Sequence, residues 1–180
     1  MLLSFADVIL RSSQPRRDFL GVIPDHPGFY PLDQIGDAQP LPHVVLYRFS
    51  GSLFFANVAL FQQDLEDTIT ADTKAVIVDA SGIVSVDISA ADRLVMLYRK
   101  LKARGIPFYL TEHISPVNDE LRRFGTRELV AQGAGQRTMY AALLDPGIAQ
   151  EHPLPVPPTG LRPDAPESRP PSTATSSASG

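Results

Sequence analysis

Three serines and an aspartate crowd one short stretch of the chain, SGIVSVDISAADRL, residues 81–94. Ser81, Ser85 and Ser89 recur four apart, and Asp87 stands two before the last. Hydroxyls and a carboxylate at this density suit three kinds of chemistry: nucleophilic catalysis, an anion or phosphate site, or the capping of a helix. A serine nucleophile needs a histidine base and an acid to orient it. His26, His43, His113 and His152 are scattered, and nothing in the sequence assigns any of them to that role. The G-x-S-x-G and Walker lysine patterns are absent. Gly133-Ala134-Gly135 is too short for a phosphate loop. The expectation is a protein without enzymatic activity. With no cysteine and no histidine pair at ligand spacing, neither a disulfide nor a zinc site is expected, and no cofactor is implied by the residues.

The capping reading is concrete. Ser89-Ala90-Ala91-Asp92 is a Ser-x-x-Asp pattern directly before an amphipathic run, so Ser89 is expected to accept from the Asp92 backbone and Asp92 to reach back. Gly82 and Ser85 are expected in the loop before it. The anion reading also has a physical basis. A serine at a helix N-terminus sits where exposed N–H groups and the helix dipole favour negative charge, although Asp87 and Asp92 would repel a phosphate there.

The elements that position this stretch follow from periodicity. Val44–Phe49 is β-branched and aromatic, and Leu53–Ala56 is a short apolar run; with Ser50-Gly51 between them they predict an antiparallel hairpin. Asn57 is the natural N-cap of a helix whose apolar positions are Leu60, Phe61, Leu65 and Ile69. The run 74–80, KAVIVDA, predicts a strand buried on both faces. A second helix spans about 90–104, with Leu94, Leu97, Tyr98 and Leu101 on one face and Gly105 as its stop. A strand at 107–111 and helices at 116–124 and 137–144 complete the order, the last two ended by Gly125 and by Asp145-Pro146-Gly147. The ordering implies an α/β domain with a small sheet, parallel in its core with one antiparallel pair.

Around this unit lie two flanks. Five of the seventeen prolines fall between Pro24 and Pro42, so residues 12–43 read as an extended arm. It holds one short strand near Phe19–Ile23, and its apolar residues hold it against the domain. The last thirty residues hold eight prolines and end STATSSASG, a composition that cannot bury enough apolar surface to offset its ordering entropy. The expected division is 1–43 as a juxtamembrane-like segment and arm, 44–147 as the domain, and 148–180 as a disordered tail. The first ten residues are apolar but too short for a membrane span, and arginines follow rather than precede them. A net charge of −4 argues against nucleic acid as a partner.

Four segments together resemble a known family. They are SSQPRRDFLGVIP after the apolar entry, YRFSGSLFFAN (47–57), KAVIVDASGIVSVDISAADRL (74–94), and ARGIPFYL followed by PVNDELRRFG. The chain resembles a STAS domain (sulfate transporter and anti-sigma factor antagonist), in particular the cytoplasmic C-terminal domain of SulP-type anion transporters. The resemblance implies a STAS-like (SpoIIAA-like) four- or five-stranded mixed sheet with helices mainly on one face. It implies a non-catalytic regulatory or interaction domain at the cytoplasmic face of the membrane, partnered by the membrane transport domain of the same or a related chain. Family members also bind nucleotides or acyl carrier protein. In the anti-sigma antagonist branch an Asp-Ser-Ser-Gly loop carries a phosphorylated serine, and Asp87-Ile88-Ser89-Ala90 occupies that loop here. Asp87 and Ser89 match; Ile88 and Ala90 replace the first serine and the glycine, which counts against the phosphoswitch. The alternative is therefore a stand-alone antagonist switched by phosphorylation of Ser89. The resemblance places the contact surface on the Gly82–Ser89 loop and leaves open whether the chain is part of a longer one.

Overall fold

A computed structural model of the chain describes residues 15–112, 115–124 and 138–144. Six strands and four helices occur among them. The strands are β1 (Arg16–Gly21), β2 (Tyr30–Pro31), β3 (Val44–Leu53), β4 (Ala75–Asp79), β5 (Ile83–Val86) and β6 (Phe108–Thr111). The helices are α1 (Val58–Thr68), α2 (Ile88–Ala103), α3 (Ser115–Arg123) and α4 (Met139–Leu143). The sheet runs β2-β1-β3-β4-β6, with β5 also paired to β3. β3, β4 and β6 are parallel, whereas β1 runs antiparallel to both β2 and β3.

The expected hairpin does not form. β3 is one strand of ten residues that continues through Ser50-Gly51 to Leu53. The antiparallel partner of Tyr47–Ser50 is β1, which takes the edge where a hairpin's second strand would lie. Gly51, at a φ of +129°, lets the strand bend without turning back. Its N–H donates to the Gly82 carbonyl at 2.8 Å, so the far end of β3 pairs with β5 where β4 has left it.

Alternation along the strands builds two cores. Val45, Tyr47, Phe49 and Leu53 of β3, Val76 and Val78 of β4, and Phe108 and Leu110 of β6 face α1, α2 and α3. Val44 and Leu46, Ala75 and Ile77, and Tyr109 face the other way, beneath Leu20, Leu41 and α4. β4 is buried at every position, as its unbroken apolar run predicts. Three of the four helices lie on one face, in agreement with the expected architecture; burial of a side chain such as Phe61 there is worth about 1.5–3 kcal/mol. α2 carries the expected face of Leu94, Leu97, Tyr98 and Leu101. It ends in a Schellman motif: Gly105 takes a φ of +73°, and the Ile106 and Gly105 N–H groups donate to Leu101 and Lys102.

The arm lies along the sheet. β1 covers most of the strand expected near Phe19–Ile23, and Phe19 stacks on Tyr47 with ring centroids 5.1 Å apart. Asp64 of α1 fastens it from the helical side, accepting both from Arg17 and from the Tyr47 hydroxyl at 2.7 Å. The expectations for residues 1–14, for Gly125, for Gly133–Gly135, for Asp145–Gly147 and for the tail lie outside the described residues.

Candidate contact site at the start of the second long helix

Asp87 is the organising residue. It follows β5 directly and is held in extended conformation, its N–H donating to the Leu53 carbonyl at 3.0 Å. Its two carboxylate oxygens then serve two elements. Oδ1 accepts from the Ala90 N–H at 2.7 Å and caps α2; Oδ2 accepts from the Phe55 N–H at 3.0 Å and holds the turn between β3 and α1. One side chain thus fixes the helix start relative to the neighbouring turn.

This corrects the expected cap. Ser89 and Asp92 both lie inside α2, exposed, and neither side chain takes part in the capping bonds. The helix begins two residues earlier than the Ser-x-x-Asp pattern suggests, because Asp87 is as good a cap as serine and its second oxygen reaches Phe55. The signal was present, since an aspartate two residues upstream of a candidate serine cap is a competing cap. Its tie to Phe55 leaves no trace in spacing.

The ground beneath the site is tightly made. Ser85 is not a loop residue: it belongs to β5, and its hydroxyl donates to Ser52 Oγ at 2.8 Å. Gly82 faces Ser50 so closely that an added Cβ would come within 2.8 Å of the Ser50 Cα. Asn57 precedes α1 as expected, but its side chain does not cap that helix. Fully buried, it accepts from the Phe54 N–H and donates to the Ser52 carbonyl, each at 2.9 Å, and so shapes the turn that presents Phe55. Glu120 of α3, unremarked in the sequence, accepts from the Val86 N–H at 2.7 Å and closes the open side of β5.

What this arrangement offers to solvent is apolar. Phe55 is 71% exposed, Val84 59% and Ile88 58%, beside the exposed Ser89. The helix N-terminus already holds an anion, the Asp87 carboxylate, so the chain itself fills the place a bound anion would take. His26 and His43 engage the Pro24 and Asp72 carbonyls on other segments and do not approach Ser89. Among the described residues, no cluster of three or more His, Asp or Glu could hold a metal ion, and no helix is long and apolar enough to cross a membrane.

The geometry thus defines a small α/β domain that presents a capped helix start with an apolar rim. The chain belongs to the STAS domain family, whose model matches residues 37–143. A probable sulfate transporter of Mycobacterium tuberculosis is 29% identical over 123 residues, which are 67% of this chain and 22% of that protein. Sulfate transporter 1.3 of Arabidopsis thaliana is 25% identical over 66% of this chain and 20% of its own length. This chain therefore spans about a fifth of the curated relatives it matches. The murine Slc26a9 anion transporter, solved in an inward-facing state, superposes with a TM-score of 0.72 at 21% identity, over 79% of this chain and 24% of that one. A sulfate transporter family protein from Wolinella succinogenes superposes with a TM-score of 0.52 at 21% identity, over 63% and 93%. These likenesses show the fold.

Proposed function

We propose that the chain is a non-catalytic regulatory domain of a SulP-type anion transporter. It works at the cytoplasmic face of the membrane by contact with the transport domain. The observation that carries this reading is that Asp87 fixes two exposed apolar residues, Phe55 through its backbone and the adjoining Ile88, at the helix start, on a chain whose relatives are named as sulfate transporters and are several times longer. Exposed apolar side chains set at a fixed helix start suit contact with a partner. Gly82, Ser85, Asp87 and Ser89 form or border that surface, while Asp92 stands one turn along α2.

The test is transport by the longer protein. Phe55→Asp with Ile88→Asp, both at exposed positions, is expected to leave the isolated domain folded and to reduce uptake of radiolabelled sulfate. Unchanged uptake with normal protein levels, across sulfate, bicarbonate and a dicarboxylate, would remove the reading. One observation favours the antagonist alternative: Ser89 is exposed and its hydroxyl is not used by the cap. Stoichiometric phosphate on Ser89 after incubation with cell extract and ATP, abolished by Ser89→Ala, would move the assignment to that branch.

A further inference from the structure

The outer face of α2 is basic on an acidic chain. Arg93, Arg99, Lys100, Lys102 and the C-cap Arg104 are all exposed, against one exposed carboxylate, Asp92. Five cations and one acid leave residues 88–104 at +4 on a chain whose net charge is −4, so the remainder stands at −8. The helix dipole accounts for Lys100, Lys102 and Arg104 in and beside the last turn, but not for Arg93 and Arg99. Helix stability argues against such crowding, since Lys100 and Arg104 are like charges one turn apart, as are Arg99 and Lys102. Lys100 reaches Glu66 of α1 at 2.9 Å. Arg93 reaches the Gln62 amide oxygen, Arg104 the Thr70 carbonyl, and Lys102 lies over the Tyr98 ring. Two large apolar side chains share the face, Met96 at 65% exposed and Ile88 at 58%. At about 100° per residue, Ile88, Arg99 and Met96 fall within one quarter of the helix circumference, with Lys102 to one side and Arg93 and Lys100 to the other.

We propose that this face of α2 lies on an anionic bilayer surface, its cations among the headgroups and Met96 and Ile88 at the acyl boundary. An apolar centre flanked by cations is the pattern of a helix that rests in the plane of a membrane interface. The charge selects an anionic occupant. The exposed apolar pair selects a bilayer over a soluble anion, which has nothing for Met96 to enter. Asp92 is the one group on the face that opposes such a surface. This inference rests on the preceding reading in one respect: a domain of a membrane transporter works beside a bilayer. It adds lipid as a partner and gives the domain an orientation. The start of α2, at Ile88 and Phe55, meets the transport domain, and the rest of the helix runs out along the headgroups.

Flotation of the full chain with vesicles tests this, using phosphatidylcholine alone and phosphatidylcholine mixed with phosphatidylserine. The wild type should float with the anionic vesicles and not with the neutral ones, and added salt should release it. Arg99→Gln with Lys102→Gln should weaken binding about 25-fold, each cation near an anionic surface being worth about fivefold. Asp92→Asn should strengthen it, and Met96→Gln should weaken it without changing its salt dependence. Arg16→Gln removes a charge from the opposite face of the sheet, the face of Leu20, and should leave binding unchanged. The circular dichroism and urea midpoint of each variant report whether it folds. The proposal is overturned if the wild type ignores anionic vesicles at low salt, or binds neutral ones equally well. It is equally overturned if the Arg99 and Lys102 variant binds as the wild type does. Displacement from the vesicles by inorganic phosphate at constant ionic strength would also overturn it, since the face would then hold a soluble anion. The vesicles carry no transport domain, so this inference and the contact at Phe55 and Ile88 can each fail alone.

Discussion

Replacing Asp87 by alanine removes two hydrogen bonds. The first is the α2 cap on Ala90, worth about 1 kcal/mol. The second is the bond to the Phe55 N–H, at an exposed site, worth up to about 1 kcal/mol. The variant should therefore lose up to about 2 kcal/mol, a fall in Tm of up to about 8 °C for a domain of this size. Ser89→Ala removes a hydroxyl that neither caps nor packs, and its cost should lie within about 0.5 kcal/mol. Asp87→Ser is the discriminating variant: its single oxygen can cap the helix but cannot also reach Phe55, so about half the loss should return. The assay is urea unfolding of the three variants, with unchanged m-values showing that compactness is preserved. The reasoning fails if Ser89→Ala costs as much as Asp87→Ala, since the helix would then begin at the serine. It also fails if Asp87→Ser recovers nothing, since the cap would then contribute nothing of its own.

Three further outcomes follow from the same geometry. Gly82→Ala drives a Cβ into Ser50 and should cost about 1–3 kcal/mol in chemical unfolding, because backbone on both sides must move. Tyr47→Phe leaves the ring in place and forfeits the bond to Asp64, a loss of about 1 kcal/mol; Asp64→Ala, which strands both the Tyr47 hydroxyl and Arg17, should cost more in the same assay. Glu66 is held below its usual range, first by the Gln62 amide and then by Lys100. It therefore stabilises the fold above the unfolded carboxylate value, and that contribution disappears as pH falls through its lower folded one. Because the group lies part-buried at the surface, where solvent screens its partners, the effect should be only a few tenths of a kcal/mol, seen as a pH-dependent difference in stability between wild type and Glu66→Gln.

Periodicity made the helices and the buried strands legible. The 3.6-residue recurrence of Leu94, Leu97, Tyr98 and Leu101 fits a helix, and the short, β-branched apolar run of β4 fits a buried strand. Gly105 announced its own Schellman motif. The hairpin misled because Ser50-Gly51 satisfies two geometries, a turn or a bend within one strand. The choice between them is made by β1, which lies some thirty residues upstream and occupies the edge of β3. Local spacing carries no information about a competitor so distant. The site failed in the same way: Ser89-x-x-Asp92 is a sound capping pattern, defeated by an aspartate whose advantage is a second oxygen bonded to a residue thirty-two positions away. Asn57 was found in the right place for the wrong reason, since its amide spans the turn before the helix instead of capping it.

The length of β3 is what brings these separate features to one place. Had the chain turned at Ser50-Gly51, Leu53 would have lain opposite Arg48 and the start of α1 would have been carried away from α2. Running on to Leu53, the strand pairs with β5 at Gly51 and Ile83 and again, after a shift of register, at Leu53 and Val86, and so sets the Asp87 N–H on the Leu53 carbonyl. From there the carboxylate has only to reach the turn that Asn57 has already shaped. Each of Gly51, Gly82 and Asn57 serves this extension: the first bends the strand, the second admits its close approach, and the third ends it. Substitutions at these three positions should therefore alter the presentation of Phe55 and Ile88 without touching either side chain. Exchange of the Phe55 amide in Asn57→Ala and Gly82→Ala measures it. If that amide stays as protected as in the wild type while global stability falls, the turn is held by Asp87 alone and the strand's length matters only for the core.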